Sequence, residues 1–238
     1  MSALSPILIV AECGHNHNGN LKLAKAMIEE AKKCKADIVK FQLYDTDKIK
    51  KWYQSRYAEL KFSELTFQEA KMLKEHADKV GIEFMASAFD EERVAWLEKL
   101  GVKRHKIASR SIYDTELIRA MEKTGKPIIA SLGDWEGEGF PKIKRAKFLY
   151  CVAEYPAYIL PEMFPERFEE NGFYGFSDHT LGMEWAKTAV VRGAKIIEKH
   201  FTLDKRLPGH DQDGSADPTE LKDFIQYVRQ YQRKNKGY

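Results

Sequence analysis

Short apolar runs recur along the chain at 7–11, 38–43, 83–88, 106–108, 127–131, 147–152, 174–176 and 195–199. Runs of this length predict buried strands. Between most of them lie longer segments whose apolar residues return every third or fourth position: 21–33, 67–80, 91–100, 115–124 and 182–193, with a last one at 219–232. That period predicts amphipathic helices. Two have strong start signals. Thr66-Phe-Gln-Glu69 is a capping box, and Asp217-Pro218-Thr-Glu220 sets an acceptor at the N-cap and proline at the first helical position. Eight strands alternating with helices in 238 residues predict a (β/α)8 TIM barrel as a single domain over 1–238. A doubly wound open sheet is the alternative, but it needs a glycine-rich first turn or a topological switch. Two places break the alternation. Residues 45–65 form a longer loop rich in Lys, Tyr and Trp, and 133–141 holds too many glycines for a full helix, so the helix after strand five is expected to be reduced.

Composition narrows the function classes. Charged residues make up 32% of the chain, yet the net charge is only +3, which argues against nucleic acid as the main partner. Three cysteines without paired spacing argue against a disulfide framework and for a reducing compartment. No stretch is long and apolar enough to cross a bilayer, and the N-terminus reads as a strand and not as a signal peptide; a cytoplasmic protein with no membrane partner is expected. The basic tail from Arg229 reads as a frayed, solvated helix end.

The chemistry-bearing residues collect where strands end. Phe173-Tyr-Gly-Phe-Ser-Asp-His179-Thr and Ala194-Lys-Ile-Ile-Glu-Lys-His200-Phe-Thr are two strands joined by one helix. A βαβ unit sets such strands parallel, with both imidazoles at the C-terminal edge where barrel active sites form. Two nearby imidazoles with open positions suit a catalytic divalent cation, and simple strand capping is the alternative. Strand one ends in Glu12-Cys-Gly-His-Asn-His17, where His15 and His17 read as a polar turn before a helix. Lys40 lies inside an apolar strand and must face a polar cavity or a partner. Lys106, Ser109, Ser131 and Ser177 end other strands, and lysines with hydroxyls and amides can cradle a phosphate. Asp211 or Asp213, in the loop after strand eight, can serve as ligand or acid/base. Cys151 reads as a buried thiol, not a nucleophile. Trp52, Tyr53 and Tyr57 can stack on a sugar or form a dimer contact.

Taken together, Ala11-Glu12-Cys-Gly-His-Asn-His-Asn-Gly, Val39-Lys-Phe-Gln, Lys106-Ile-Ala-Ser, Ser177-Asp-His-Thr, Glu198-Lys-His-Phe-Thr and Pro208-Gly-His-Asp resemble the sialic acid synthase family, in order and over nearly the whole chain. The resemblance implies a (β/α)8 barrel that condenses phosphoenolpyruvate with an open-chain N-acetylated amino sugar and releases phosphate. It implies a divalent metal, Mn²⁺ foremost, with Mg²⁺, Fe²⁺, Co²⁺ or Zn²⁺ as alternatives, held by His179 and His200. Lys40, Lys106, Ser109, Ser131 and Ser177 would hold phosphoenolpyruvate; Glu12, Gln42 and Tyr155 would line the sugar side, with Asp211 near the aldehyde. A homodimer is a further expectation.

The sequence also departs from that pattern. The family's C-terminal antifreeze-like domain has no counterpart in 1–238. Ala153 stands where the family carries Ser or Asn, Arg110 and Ser111 replace a glycine and an acidic residue, and His210 replaces a proline. Arg110 can replace a missing phosphate donor or meet a carboxylate-bearing substrate, and His210 can add a third imidazole to the metal site. Metal and phosphoenolpyruvate residues are mostly kept while the sugar side has changed, so an unusual acceptor is expected. Two other readings stand beside the synthase: another aldol-type carbon–carbon ligase on the same barrel, and a non-catalytic barrel that binds a phosphate or sugar ligand.

Overall fold

The computed structural model describes residues 6–51 and 53–235. Eight parallel strands close into a barrel in sequence order: β1 (Leu8–Gly14), β2 (Ile38–Leu43), β3 (Glu83–Ala88), β4 (His105–Ile107), β5 (Ile128–Ser131), β6 (Ala146–Cys151), β7 (Gly175–Asp178) and β8 (Ile196–His200). β1 pairs with both β2 and β8, so no edge is left open and the open-sheet alternative is excluded.

The helices are α1 (Leu21–Lys33), α2 (Thr46–Ile49), α3 (Tyr57–Ser63), α4 (Phe67–Val80), α5 (Glu91–Lys99), α6 (Thr115–Lys123), α7 (Glu184–Val191) and α8 (Pro218–Lys234). The capping boxes at Thr66/Glu69 and Asp217/Glu220 both form, and they fix where α4 and α8 begin. As the glycines at 133–139 imply, β5 runs to β6 through turns. The β6–β7 connection also lacks a helix, in keeping with the absence of a helical period between 152 and 174. The 45–65 segment differs from the expected loop by folding into α2 and α3, whose starts at Thr46 and Tyr57 bracket the turn around Arg56. Trp52 lies outside the described residues, and Tyr53 is exposed.

Alternation along each strand decides what faces the barrel axis. Ile9, Ala11, Val39, Phe41, Phe176 and Ile197 pack outward against the helices. Val10, Ile38, Met85, Ile129, Leu149 and Ile196 form a separate apolar plug inside. Two residues further along the strands, the inward positions become Glu12, Lys40, Ser87, Ser131 and Glu198. The barrel is therefore oily at the N-terminal end and charged at the other. The tail expectation is corrected: Arg229 is not frayed but donates to the Ile7 carbonyl and to Asp37 Oδ2, both at 2.6 Å, so α8 is tied to the start of β1 and β2.

Candidate active site

Strand register sets the charged layer. Glu12 lies beside Lys40 on one side and His200 on the other, and Ser177 lies beside Glu198. Lys40 Nζ stands 2.8 Å from Glu12 Oε2, 3.5 Å from Glu198 Oε1 and 3.2 Å from Ser87 Oγ. Lys106 Nζ donates to Ser131 Oγ at 2.8 Å and lies 3.7 Å from Glu198 Oε1, which also accepts from Ser177 at 3.3 Å. Gln42 donates to Glu12 Oε1 at 3.1 Å.

Burial opposes both ammonium groups. For Lys40 the two carboxylates outweigh burial and hold its pKa above the ordinary lysine value; for Lys106 burial prevails and depresses it. Burial raises the Glu198 carboxyl, but Lys106, Lys40, His200 and His179 together hold it below the usual range. Lys40, Lys106, Ser131, Ser177, Glu12 and Gln42 thus lie in one network. Glu198 and Ser87 are its members that sequence reasoning passed over. Glu198 sits two residues before His200 in a strand, and that period-two spacing to an inward histidine is the signal that marks it.

The histidines do meet at this end, with ring centroids 5.4 Å apart. His179 Nδ1 lies 2.8 Å from the Val152 carbonyl, which fixes the Nδ1–H tautomer and leaves the lone pair on Nε2. That nitrogen faces the Tyr155 hydroxyl at 3.1 Å, and the Tyr155 ring stacks on His179 at 4.1 Å. Burial, and then His200, push His179 down to about pKa 3, so the ring is neutral as a metal ligand must be. Buried His200 Nδ1 has no hydrogen-bond partner among the described residues and points toward Asp211 Oδ2 at 3.5 Å. His179, His200, Asp211 and Tyr155 border a cavity of about 180 Å³.

Two imidazoles beside open volume fit a catalytic divalent cation with several exchangeable positions, and not a closed structural site. Among the described residues no three His, Cys, Asp or Glu side chains converge as a preformed metal cage. His210, the expected third imidazole, is exposed; it borders the same cavity, with its ring 6.0 Å from that of Tyr155.

His15 contributes to the mouth, against its reading as a mere turn residue. Its Nε2 lies 3.1 Å from Glu59 and 3.7 Å from Asp211, while Arg56 reaches Asp211 at 3.9 Å. Burial raises the Asp211 carboxyl, but His200, His15 and Arg56 hold it ionised below the ordinary range. His17 instead packs fully buried against Phe41. Asp213 is exposed. Burial lifts the Cys151 thiol to about 12, in keeping with a packing role. Ser109 stands apart from the lysines: its Oγ accepts from the Asp134 N–H at 2.7 Å. It borders a second cavity of about 270 Å³ that also includes Gln42, Arg110, Ala153, Tyr155 and Asp211.

The barrel and the sequence pattern of this chain are shared with known proteins. The sequence pattern of the NeuB family matches residues 27–237. The chain belongs to the NeuB family. It is 38% identical over 252 residues to the N,N'-diacetyllegionaminic acid synthase of Legionella pneumophila, covering 93% of this chain and 71% of that protein. It is 32% identical over 260 residues to the human N-acetylneuraminate-9-phosphate synthase, covering 96% and 71%. The crystal structure of the N-acetylneuraminic acid synthetase of Leptospira borgpetersenii, in complex with citrate, superposes on 98% of this chain and 86% of its own with a TM-score of 0.90 at 33% identity. This NeuB barrel is therefore similar to sialic, legionaminic and related acid synthases over nearly its entire length. Among its described residues no helix is long and apolar enough to cross a membrane.

Proposed function

We propose that this NeuB-family barrel is a metal-dependent synthase that condenses phosphoenolpyruvate with an open-chain N-acetylated amino sugar, giving a nonulosonic acid and phosphate. The observation that carries the reading is the placement of buried Lys40 and Lys106, with Ser131 and Ser177, in one layer beside the His179–His200 pair. Similarity to synthases of legionaminic and N-acetylneuraminic-type acids supports it.

In this reading His179 and His200 hold the divalent metal, Mn²⁺ foremost, which supplies Lewis acidity toward the sugar aldehyde or a water. The lone pair that His179 would offer to such a cation is the one on Nε2, which the Tyr155 hydroxyl faces at 3.1 Å. Lys40 and Lys106 bind the phosphate and carboxylate of phosphoenolpyruvate, with the Ser131 and Ser177 hydroxyls as further donors. The extra anionic charge favours the ammonium form of Lys106, which burial disfavours. Glu12, Gln42 and Tyr155 line the sugar side.

The enol carbon of phosphoenolpyruvate attacks the aldehyde carbon, forming the carbon–carbon bond and leaving an oxocarbenium carbon. The carbonyl π pair moves to the aldehyde oxygen, which takes up the proton that the incoming water releases. Water adds to that carbon and loses a proton. Asp211, held ionised, accepts a proton here. The tetrahedral intermediate then breaks its carbon–oxygen bond and expels phosphate, whose charge the lysines stabilise.

The test is phosphate release from phosphoenolpyruvate with a panel of N-acetylated hexosamines, with and without EDTA. Release that needs both a sugar and a metal is the expected result. Failure to bind phosphoenolpyruvate at all would refute the reading.

A further inference from the structure

Among the described residues, two basic side chains at the mouth have no ion-pair partner. Lys50, at the end of α2, and Arg110, in the 3-10 turn Ser109–Ser111, both border the 270 Å³ cavity. One Arg110 N–H points at the Ile49 carbonyl at 3.5 Å, and its guanidinium lies 5.7 Å from the Phe89 ring centroid. These contacts bring the two cations to the same wall. Neither forms an ion pair among the described residues, whereas Lys48, Arg56 and Lys61 of the same connection each do. Asp134 is the cavity carboxylate without an ion pair, and Asp211 is engaged by His15, His200 and Arg56. The wall therefore keeps an excess positive charge facing open volume. Arg110 presents the planar donor fork that matches phosphate and carboxylate oxygens.

The position of this wall says which substrate it meets. Tyr155 and Asp211 border both this cavity and the one that holds the two histidines. A sugar whose aldehyde reacts beside Asp211 can extend from one cavity into the other, toward Arg110 and Lys50. The phosphoenolpyruvate lysines lie deeper in the barrel and carry their own carboxylates.

Resting on the synthase reading, we propose that Arg110 and Lys50 form an anion subsite for the acceptor, and that the acceptor carries a phosphate or carboxylate at the end remote from its aldehyde. The subsite selects substrate; it takes no part in bond making.

Three probes separate the sources of the anion: an N-acetylhexosamine, its 6-phosphate and its 6-carboxylate. With phosphoenolpyruvate and Mn²⁺, the wild-type protein is expected to show at least a tenfold higher kcat/KM for one anionic probe than for the neutral sugar. Arg110→Ala and Lys50→Ala should each reduce that preference several-fold, while KM for phosphoenolpyruvate and turnover of the neutral sugar stay within twofold. Arg110→Lys should recover part of it. A rise in KM for phosphoenolpyruvate with no change in acceptor preference would overturn the proposal and assign the cations to the first substrate. Equal kcat/KM for all three probes would overturn it as well. If no probe is turned over, the synthase reading fails separately. The subsite is then decided by equilibrium binding of the 6-phosphate and 6-carboxylate. Tenfold weaker binding in Arg110→Ala supports it, and identical binding to both proteins rejects it.

Discussion

Asp178 and Lys199 form a buried ion pair on the outer face of the barrel, immediately before the two site histidines. They are neighbours in the β7–β8 register, 0% and 1% exposed, with Lys199 Nζ 3.3 Å from Asp178 Oδ2. Lys199 also donates to the Thr180 carbonyl, while Asp178 Oδ1 accepts from the Thr180 N–H at 2.8 Å and from its hydroxyl at 2.7 Å. The pair thus fastens the turn 178–180 to β8, and with it the direction of both imidazoles. At that distance and an effective dielectric of about 20, the attraction is about 5 kcal/mol. Desolvation opposes it: burial raises the Asp178 carboxyl and depresses the Lys199 amine, so each shift runs against the charged form.

Asp178→Leu strands a buried ammonium and should cost about 3–5 kcal/mol. That corresponds to a fall of about 6–20 °C in Tm for a domain of this size. Lys199→Met should cost a comparable amount. The double variant removes both charges, and its stability should return to within about 2 kcal/mol of wild type, less the hydrogen bonds that Thr180 loses. Urea unfolding of the four proteins measures the cycle. If the double variant loses the sum of the two single losses, the charges are not coupled and the argument is wrong. Phosphate-release turnover of the double variant then reports on positioning: a stable protein with unchanged kcat would show that the pair does not orient the histidines.

The contact between α3 and the barrel mouth should depend on pH in a defined window. The His15 hydrogen bond and the Arg56 contacts depress the Glu59 carboxyl, so its contribution to stability is present above about pH 4.3 and is lost as pH falls through the folded value. Burial lowers His15, but Glu59 and Asp211 more than compensate; its raised pKa gives a contribution complete below about pH 6.5 and lost as pH rises through the folded value. The Tm difference between wild type and Glu59→Gln should therefore be largest near pH 5–6 and shrink toward pH 9, and a constant difference would contradict the assignment. Gly175 is needed for close approach, since a Cβ there would sit 2.1 Å from the Ile196 carbonyl oxygen. Gly175→Ala should destabilise by about 1–3 kcal/mol, the range for overpacking a tight site, whereas an unchanged urea midpoint would show that β7 and β8 separate freely.

The order of elements, the barrel and the meeting of the two histidines at its C-terminal end were legible because they rest on local rules. Period-two strands, period-three-to-four helices, and capping boxes at Thr66 and Asp217 are written in neighbouring residues. Lys40 announced itself because an ammonium inside an apolar strand requires a partner. Which partner it has was not legible. Glu12 and Glu198 reach Lys40 only because β8 closes onto β1, a contact between segments at opposite ends of the chain. His15 looked like a turn residue until α3 folded over it with Glu59, and Arg229 looked like a solvated tail until α8 met the Ile7 carbonyl and Asp37. Arg110 and Lys50 illustrate the same limit. The sequence shows two common surface cations, and only the packing of α2 against the turn after β4 leaves both facing one cavity without a counterion. Local periodicity determines elements because it depends on nearest neighbours along the chain. Charge balance in a site depends on neighbours in space, which barrel closure alone supplies.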